Sequence, residues 1–335
     1  MKNNFALTLE LVMTKKRKAT LKDVAKEAGV NFTLVSKFLT GNPQARMTDE
    51  TRKRIELAVK KLDYRPSASA RALRNGKSKT IGLVVRDLTN SYFAHIADTA
   101  LRELRQKGYQ LLIALDDDED AVKSLVMREV DGIIHLGKKA PDTSTIPCPV
   151  AVNDTNVRGA IEINPDLSNS LDCALKNLHG KIAGLFFESS TWSKEFDSAT
   201  KRVGKKNTFK VILPFNQVER REELRKICQK KPDGIVASGW RTFLILSDLI
   251  KKEFKGYSPQ IVLQANCKGE FFKDKNIVGV IHSSTTELIC KTCQAIIAEI
   301  ESATPTPKKL KNPTIYIDAN SPDFAKLITK EFSLT

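Results

Sequence analysis

A short segment near the amino terminus carries side chains that could read the edges of nucleic-acid bases. Its apolar residues, from Leu34 to Leu39, repeat at helical spacing and leave one face of the helix outward. Hydroxyl, ammonium and aromatic groups on such a face can make hydrogen bonds and apolar contacts in the major groove. A set of short helices that binds another protein is the alternative interpretation. The outward residues at the start of this helix are Phe32, Thr33, Ser36 and Lys37.

Residues arranged for catalysis or for metal binding are lacking in the sequence. There is no glycine-rich phosphate-binding motif and no nucleophile beside a base, and the four histidines are scattered. Cys290 and Cys293 form a CxxC pair, but a zinc site needs a second pair of ligands at a suitable spacing. The acidic run from Asp116 to Asp120 is interpreted as a solvated loop, with a divalent-ion site as the alternative. We therefore expect a protein that is not an enzyme and that holds no cofactor or metal.

Three short helices are predicted to position the outward residues. Thr20 can cap a helix that begins at Leu21, and Gly29 can end it because glycine accepts a positive φ. Asn31 offers a second cap two residues later, which is the spacing of a helix-turn-helix. A third helix begins at Thr48. Its apolar residues, which we expect to close a small core, are Ile55, Leu57, Ala58, Val59 and Leu62.

Positive charge is concentrated in this three-helix part. The chain has 335 residues and a formal net charge of +16. Residues 15–79 contain 18 Lys or Arg against 6 Asp or Glu, a net charge of +12, whereas residues 80–335 contain 36 against 32. Because binding to phosphates releases counterions, a basic module on a nearly neutral body indicates a head that binds a polyanion.

The composition is that of a globular protein without a membrane segment. Apolar residues make up 41% and charged residues 28% of the chain, which excludes wholesale disorder and a collagen-like protein. No window reaches the roughly 18 apolar residues of a membrane-spanning helix. The first residues contain Glu10 and lack a small-residue cleavage site, so we predict no signal peptide and a cytoplasmic location. Residues 1–19 are interpreted as a basic tail, with Met13 as an alternative start.

The stretch from Thr20 to Gly76 contains a series of short motifs, among them DVA at 23–25, AGV at 28–30, YRP at 64–66 and ARALR at 70–74. With these motifs it resembles the DNA-binding head and hinge of the lactose-repressor (LacI) family of transcription regulators. We assign residues 20–66 to the helix-turn-helix domain. The resemblance implies a sequence-specific regulator, expected to be a repressor, that binds a pseudo-palindromic double-stranded DNA operator as a homodimer.

The resemblance also assigns roles to residues of the head by position. Phe32, Thr33 and Lys37 are implied to read bases from the second helix. The family more often has Arg where this chain has Lys37. Lys donates from a single point, whereas Arg can contact guanine with two hydrogen bonds, so we expect weaker discrimination between bases at that base pair. The residues implied to hold the phosphate backbone are Leu21, Ser36, Thr48 and Thr51.

Residues 67–79 are predicted to form a hinge helix and a linker. Pro66 breaks the third helix, and an alanine-rich helix follows that is marginal alone because helix nucleation is costly. The resemblance implies that it forms when two copies pair on DNA, and packing on the body is the alternative. Leu73 is implied to enter a base step in the minor groove. The hinge residues implied to contact DNA are Ser67, Ala70 and Leu73.

Residues 80–335 alternate strand-like apolar runs with helical stretches, which predicts a parallel-sheet α/β architecture. Their length suits a two-lobed periplasmic-binding-protein-like domain for effector binding and dimerisation, as the resemblance also implies. The stretch 304–313 is expected to be an exposed crossover. The predicted helices are Phe93–Lys107, Leu167–Leu178, Glu219–Lys230, Arg241–Phe254 and Thr285–Glu301. The predicted strands are Thr80–Val85, Tyr109–Leu115, Gly132–Leu136, Val150–Asn153, Ile182–Phe187, Phe209–Leu213, Gly234–Ala237, Gln260–Gln264, Val278–Ile281 and Thr314–Ile317.

The resemblance implies a small-molecule effector, commonly a sugar or a nucleobase, that binds between the lobes. Asn90, Phe93 and Asp154 are residue types that suit contact with a ligand, and they lie by position in loops at the carboxyl ends of strands. Trp240 either stacks on a ligand ring or plugs the pocket. Asp197 aligns with an Arg that clamps the ligand in the family, which argues against ordinary sugar binding. The alternative function is therefore a DNA-binding protein with a degenerate, ligand-insensitive body.

Overall fold

The chain divides into two compact units, Met1–Ser78 and Lys79–Thr335. No helix of the described residues is both long enough and apolar enough to cross a membrane. The computed structural model describes residues 18–40, 46–65, 72, 76–116, 120–137, 139–153, 157–187, 191–264, 270–301 and 309–324.

The described part of the smaller unit, which we call the head, contains α1 (Leu21–Ala28), α2 (Phe32–Leu39) and α3 (Asp49–Lys61). The Thr20 hydroxyl accepts a hydrogen bond from the Asp23 amide at 3.3 Å, and the Asp23 carboxylate accepts one from the Thr20 amide at 2.7 Å. This reciprocal pair satisfies two amides that a helix start otherwise leaves open. Gly29 ends α1 with φ +64°, and Asn31 caps α2. The predicted helices and their caps are thereby confirmed.

The head has a small core in which one predicted member is wrong. Leu57 is 66% exposed, whereas Ile55 and Ala58 are buried and Val59 packs against the same cluster. Successive residues turn by about 100° around a helix, so Leu57 lies on the face opposite Ile55. The buried residues of this core are Val24, Ala25, Ala28, Val35, Ile55 and Ala58.

The larger unit, which we call the body, is built on parallel strands arranged as two sheets. Each sheet is the centre of one lobe. Their strands are β1 (Thr80–Val85), β2 (Gln110–Leu115), β3 (Gly132–Leu136), β4 (Val150–Val152), β5 (Ile161–Asp166), β6 (Ile182–Phe187), β7 (Thr208–Leu213), β8 (Gly234–Ser238), β9 (Gln260–Gln264), β10 (Ile277–Ser283) and β11 (Lys309–Asp318). The order β2-β1-β3-β4-β5 forms the first lobe and β10-β9-β8-β6-β7 the second, with β11 between β5 and β10.

Strand β11 belongs to both sheets. Residues 309–313 pair in parallel with β5, and residues 314–318 pair antiparallel with β10. The buried Thr314 hydroxyl at the change of partner lies 2.6 Å from the Asp166 carbonyl and 2.5 Å from the Ser170 hydroxyl. The prediction of a crossover is therefore wrong for residues 309–313, because the free edge of β5 pairs them as a strand despite their Lys and Pro content. The predicted exposure holds for Lys309, Lys311 and Pro313. Residues 304–308 lie outside the described part of the chain.

Helices cover both sheets. The body contains α4 (Ser91–Gln106), α5 (Ala121–Met127), α6 (Ser168–Asn177), α7 (Thr191–Val203), α8 (Gln217–Gln229), α9 (Trp240–Lys252) and α10 (Thr285–Glu301). Helix α10 follows the second lobe along the chain but packs on the first, where Ile289, Cys293 and Ile296 join its core. Burial raises the pKa of the Cys293 thiol to about 12, which suits a packed side chain.

The predicted fold class is confirmed for the described residues, although three elements were not predicted. Strand β5 contains Pro165, a residue that weakens a strand interpretation. Helix α7 places Trp192, Phe196 and Ala199 on one buried face, but Ser, Lys, Glu and Asp between them hide the pattern. Helix α5 has only 7 residues, too few for a clear helical period.

Candidate functional site

The outer face of α2 presents the residues predicted to read bases. Phe32 is 51% exposed, and Thr33 and Lys37 are also exposed, whereas Ser36 is half-buried. Val35, on the opposite face, is fully buried and holds α2 in the head core. A large ring that stays in solvent next to a hydroxyl and an ammonium group forms a surface suited to a polar, partly apolar partner such as a base edge.

The other predicted DNA contacts of the head surround two helix starts. Leu21 is the half-buried first residue of α1, and Thr48 caps α3. The Thr48 and Thr51 hydroxyls lie 2.9 Å apart, and the Thr51 amide donates to Thr48 at 3.2 Å. Amides at the start of α3 favour an anion, whereas Asp49 and Glu50 in its first turn oppose one.

Four predicted site residues lie outside the described part of the chain. They are Ser67, Ala70 and Leu73 of the hinge, and Asp154 of the body. Their roles stay predictions.

The body contains a cavity of about 780 Å³ between its two lobes. The first residues of α4, α7, α9 and α10 line it, so the positive ends of four helix dipoles face the same space. Asn90, Phe93 and Trp240, all predicted for the effector site, are among the lining residues. Asp197 is not among the lining residues; it lies on α7 in an ion pair with Lys210.

Two arginines make contacts that join the lobes across this cavity. The Arg241 guanidinium, on α9, donates to the Asp87 carboxylate at 3.3 Å and to the Thr89 carbonyl at 2.6 Å. The Arg86 guanidinium, after β1, lies 4.2 Å from the centre of the Phe215 ring. These contacts connect a loop that follows β1 with the second lobe.

The Phe215 contact belongs to a cluster of two rings and two guanidinium groups. The Phe187 and Phe215 rings are parallel within 15° at a centroid distance of 5.1 Å. The Arg220 guanidinium lies over the Phe187 ring at 4.6 Å from its centre. Each ring of this stacked pair therefore meets one cation, Phe215 meeting Arg86 and Phe187 meeting Arg220.

Arg220 is the most deeply buried cation of the cavity. It is 7% exposed, and its Nε donates to the Pro214 carbonyl at 3.0 Å and its Nη2 to the Phe215 carbonyl at 2.5 Å. Burial lowers the pKa of its guanidinium, and the nearby charge of Arg241 lowers that pKa further. Burial also lowers the pKa of His135, another lining residue.

Sequence reasoning did not find the three arginines of this cavity. Arg86 directly follows β1, so its place at the carboxyl end of a parallel strand was a usable signal. Arg241 adjoins Trp240, which was singled out. Arg220 lies in a charged run on α8 and offers no such signal.

Nothing in the described residues indicates a metal centre. No group of three or more His, Cys, Asp or Glu side chains there is close enough to hold an ion. Asp116 and Asp120 are described, but the residues between them are not.

Comparisons with known proteins concern both units. Residues 20–67 match the family described as "Bacterial regulatory proteins, lacI family". The ribose operon repressor of Lactococcus lactis is 34% identical over 140 residues, which are 40% of this chain and 42% of that protein. The chain thus spans less than half the length of this relative. The fructose operon regulatory protein of Vibrio cholerae is 37% identical over 260 residues, 70% of this chain and 79% of that protein.

Solved structures share the fold of all or most of the described chain. A lac repressor dimer bound to operator and the anti-inducer ONPF superimposes with a TM-score of 0.75 at 17% identity, covering 90% of this chain and 98% of that one. The Cra dual regulator of Pseudomonas putida in complex with fructose 1-phosphate gives a TM-score of 0.61 at 17% identity, covering 72% and 99%. The similarity to the Vibrio protein extends through most of the body, and the family match covers the helix-turn-helix head. The chain belongs to the lacI family of bacterial regulatory proteins.

Proposed function

We propose that the protein is a sequence-specific, DNA-binding transcription regulator, and more narrowly a repressor that binds a pseudo-palindromic operator as a homodimer in the cytoplasm. The observation that carries the proposal is the exposed face of α2 on a compact, capped three-helix head. One head reads a few base pairs, so two heads related by two-fold symmetry suit two half-sites. The relatives are regulators, which favours this role over catalysis.

We propose specific roles for the head and hinge. Phe32, Thr33 and Lys37 contact base edges, while Ser36 and the start of α3 at Thr48 and Thr51 contact phosphates. The exposed side chains of α2 and the hydroxyl pair at α3 support this division. Leu21 is proposed as a further backbone contact. For Ser67, Ala70 and Leu73 the proposal of minor-groove contacts rests on the family resemblance.

We further propose that a small molecule between the lobes controls DNA binding by favouring one lobe arrangement. A cavity of about 780 Å³ is in the usual range of ligand pockets, which argues against a ligand-insensitive body. Asn90, Phe93 and Trp240 are proposed to contact the ligand. Trp240 forms one wall of this open cavity, which favours its stacking role over that of a plug. A Cra protein binds fructose 1-phosphate, so a carbohydrate derivative is a fitting class.

Selection of bound duplexes from a random DNA pool, at near-physiological salt, tests the DNA-binding function. We expect a two-fold symmetric motif with a central pyrimidine–purine step, the step that a hinge wedge opens most easily. A protein with Phe32, Thr33 and Lys37 all replaced by Ala serves as the control, since its core is untouched. If the unchanged protein enriches no motif, the proposal of sequence-specific regulation is wrong.

A further inference from the structure

We propose that the effector of this protein is an anion, a small organic molecule whose phosphate or carboxylate group is bound by Arg220. The inference rests on the proposed ligand control and narrows its ligand class. It follows from the charges, burial and unpaired polar groups around the cavity of the body.

The charge balance of the cavity is positive. Among its described lining residues, Arg86, Arg220 and Arg241 are the Arg or Lys side chains, and Asp87 is the acidic one. Asp87 is already paired with Arg241. A neutral sugar would leave the buried charge of Arg220 without a counter-charge, whereas an anion would supply one.

Arg220 is the cation for which a counter-charge is most needed. It is 7% exposed and makes no ion pair with any described carboxylate. Its hydrogen bonds to two carbonyls and its contact with the Phe187 ring compensate only partly for the lost hydration of a full charge. A phosphate or carboxylate placed beside it would make charge-assisted hydrogen bonds, which are the strongest that a guanidinium offers.

Two buried hydroxyls supply a second, independent indication of a polar ligand. The Oγ1 atoms of Thr242 and Thr285 are buried and lack a hydrogen-bond partner among the described residues, and both residues line the cavity. Each lies in the first turn of a helix, α9 or α10, whose amide dipoles favour negative charge. Buried hydroxyls without partners are rare, and these two leave donors without an acceptor at the cavity wall.

Arg220 also donates to two carbonyls of the turn that follows β7, which is a structural role. A purely structural Arg220 and a ligand-binding Arg220 differ in one respect. If the role is purely structural, replacing Arg220 affects folding whatever ligand is present. If Arg220 binds the ligand, replacing it changes the preference of the protein between charged and neutral ligands of the same shape.

Calorimetric titration of the full-length protein with matched ligand pairs tests the proposal. The pairs are ribose and ribose 5-phosphate, fructose and fructose 1-phosphate, and glucose and glucuronate, with inorganic phosphate as the smallest probe. We expect at least one charged member to bind about 10-fold or more tightly than its neutral partner. The phosphate and glucuronate arms separate the two anion classes. If no charged member binds more tightly than its partner up to millimolar concentration, the proposal is overturned.

Variants of Arg220 connect the preference to this side chain. Arg220→Met should lower the affinity for the charged ligand by about 10- to 100-fold. Arg220→Lys keeps a positive charge and should retain part of the original affinity. Arg221→Met is the matched control, because it removes the same charge from the same helix, where Arg221 pairs with Asp248 outside the cavity lining. Thermal unfolding of each variant shows whether the variant still folds. The titration of the unchanged protein with the ligand pairs does not depend on the folding of any variant. An unchanged charged-to-neutral ratio in Arg220→Lys and Arg220→Met overturns the role of Arg220.

The same protein preparations should be taken through the duplex selection. If the selection yields a motif but the titrations show no preference for an anion, the DNA-binding function is supported and the anion site is overturned. Anion binding without a selected motif would support the site and contradict the DNA-binding function.

Discussion

Lys37 is the side chain of α2 from which we expect the sharpest change in DNA preference. It is exposed next to Phe32 and Thr33 on the outward face. Lys37→Ala should relax specificity at one base pair per half-site by about 1–3 kcal/mol, because a base-edge donor is lost. The measurement is competition between the selected duplex and all single-base variants of it.

Lys60→Ala is the matched control for this change. Lys60 is an exposed lysine in the last turn of α3, so the head loses the same charge from another surface. We expect it to leave the ranking of base variants unchanged. If Lys37→Ala instead weakens binding equally to every sequence, Lys37 contacts a phosphate and the base-reading role is contradicted.

His135 makes the stability of the body depend on pH in a defined direction. Burial lowers the pKa of its imidazole, the charge of Arg86 acts in the same direction, and Asp116 opposes them. The Gly137 amide lies 3.4 Å from its Nδ1, which can accept a hydrogen bond only in the neutral ring. Because the unfolded chain takes up the proton first, stability should be fully present above about pH 6.5 and decrease as the pH falls below it.

Urea unfolding at several pH values measures this effect. The decrease should be less than about 1.4 kcal/mol per pH unit, the limit for one proton, and His135→Gln should reduce it. The control is His179→Gln at an exposed position. An identical pH dependence in His135→Gln and the unchanged protein would contradict the assignment.

At the scale of single elements, the head depends on its helix caps. The core of the head contains few fully buried residues, so each terminal hydrogen bond is a sizeable part of its stability. Thr20→Ala removes the hydroxyl that accepts from the Asp23 amide and should cost about 1 kcal/mol. Far-ultraviolet circular dichroism of the melting head checks this, and Thr20→Ser, which keeps the hydroxyl, should melt like the unchanged protein.

Strand β11 depends on Thr314 where it changes partner. Thr314→Val keeps the shape but leaves the Asp166 carbonyl and the Ser170 hydroxyl short of one partner, which should cost about 1–3 kcal/mol. Ser170→Ala on the Thr314→Val background should cost less than Ser170→Ala alone, because the two hydroxyls share one interaction. Additive changes in a denaturant double-mutant cycle would show that the hydroxyls act independently.

The elements were predictable where their periodicity was strong. The α2 stripe from Leu34 to Leu39 and the α10 pattern from Thr285 to Glu301 both correspond to observed helices. Local patterns fail for residues 309–313, because their strand state comes from β5, a partner about 150 residues away in sequence. The prediction that Leu57 belongs to the core is wrong for a different reason. It rests on the apolar character of the residue and does not consider the helix face on which the residue lies.

At the scale of the whole molecule, the two binding sites should respond differently to salt. The excess charge of the head lies on residues 15–79, whereas Arg220 is buried in the body. Operator affinity should fall about 10³-fold or more between 50 and 200 mM salt if the two heads together contact six or more phosphates. Anion binding at Arg220 should change far less, since salt screens buried charges weakly. Equal salt dependence of the two affinities would contradict this division.

The candidate sites also differed in how far the sequence could define them. The exposed residues of α2 follow from helical geometry within one short segment, so Phe32 and Thr33 were found. The cavity joins the ends of strands and helices that are far apart in the chain. Arg86 reaches the stacked pair of Phe187 and Phe215, against which Arg220 also lies, only after both lobes have formed, and no local pattern contains that proximity.

Strand β11, which both sheets share, has a consequence for the folding of the protein during its synthesis. On the ribosome, β5 emerges more than 140 residues before the part of β11 that pairs with it, and α10, which covers the first lobe, also comes late. At about 5–20 residues per second this interval lasts about 7–30 s. The edge of β5 is open to other nascent chains during that time. The helix-turn-helix, by contrast, is complete within the first 65 residues. Each ribosome therefore carries, for several seconds, a finished DNA-reading head on a body that still lacks its joining strand.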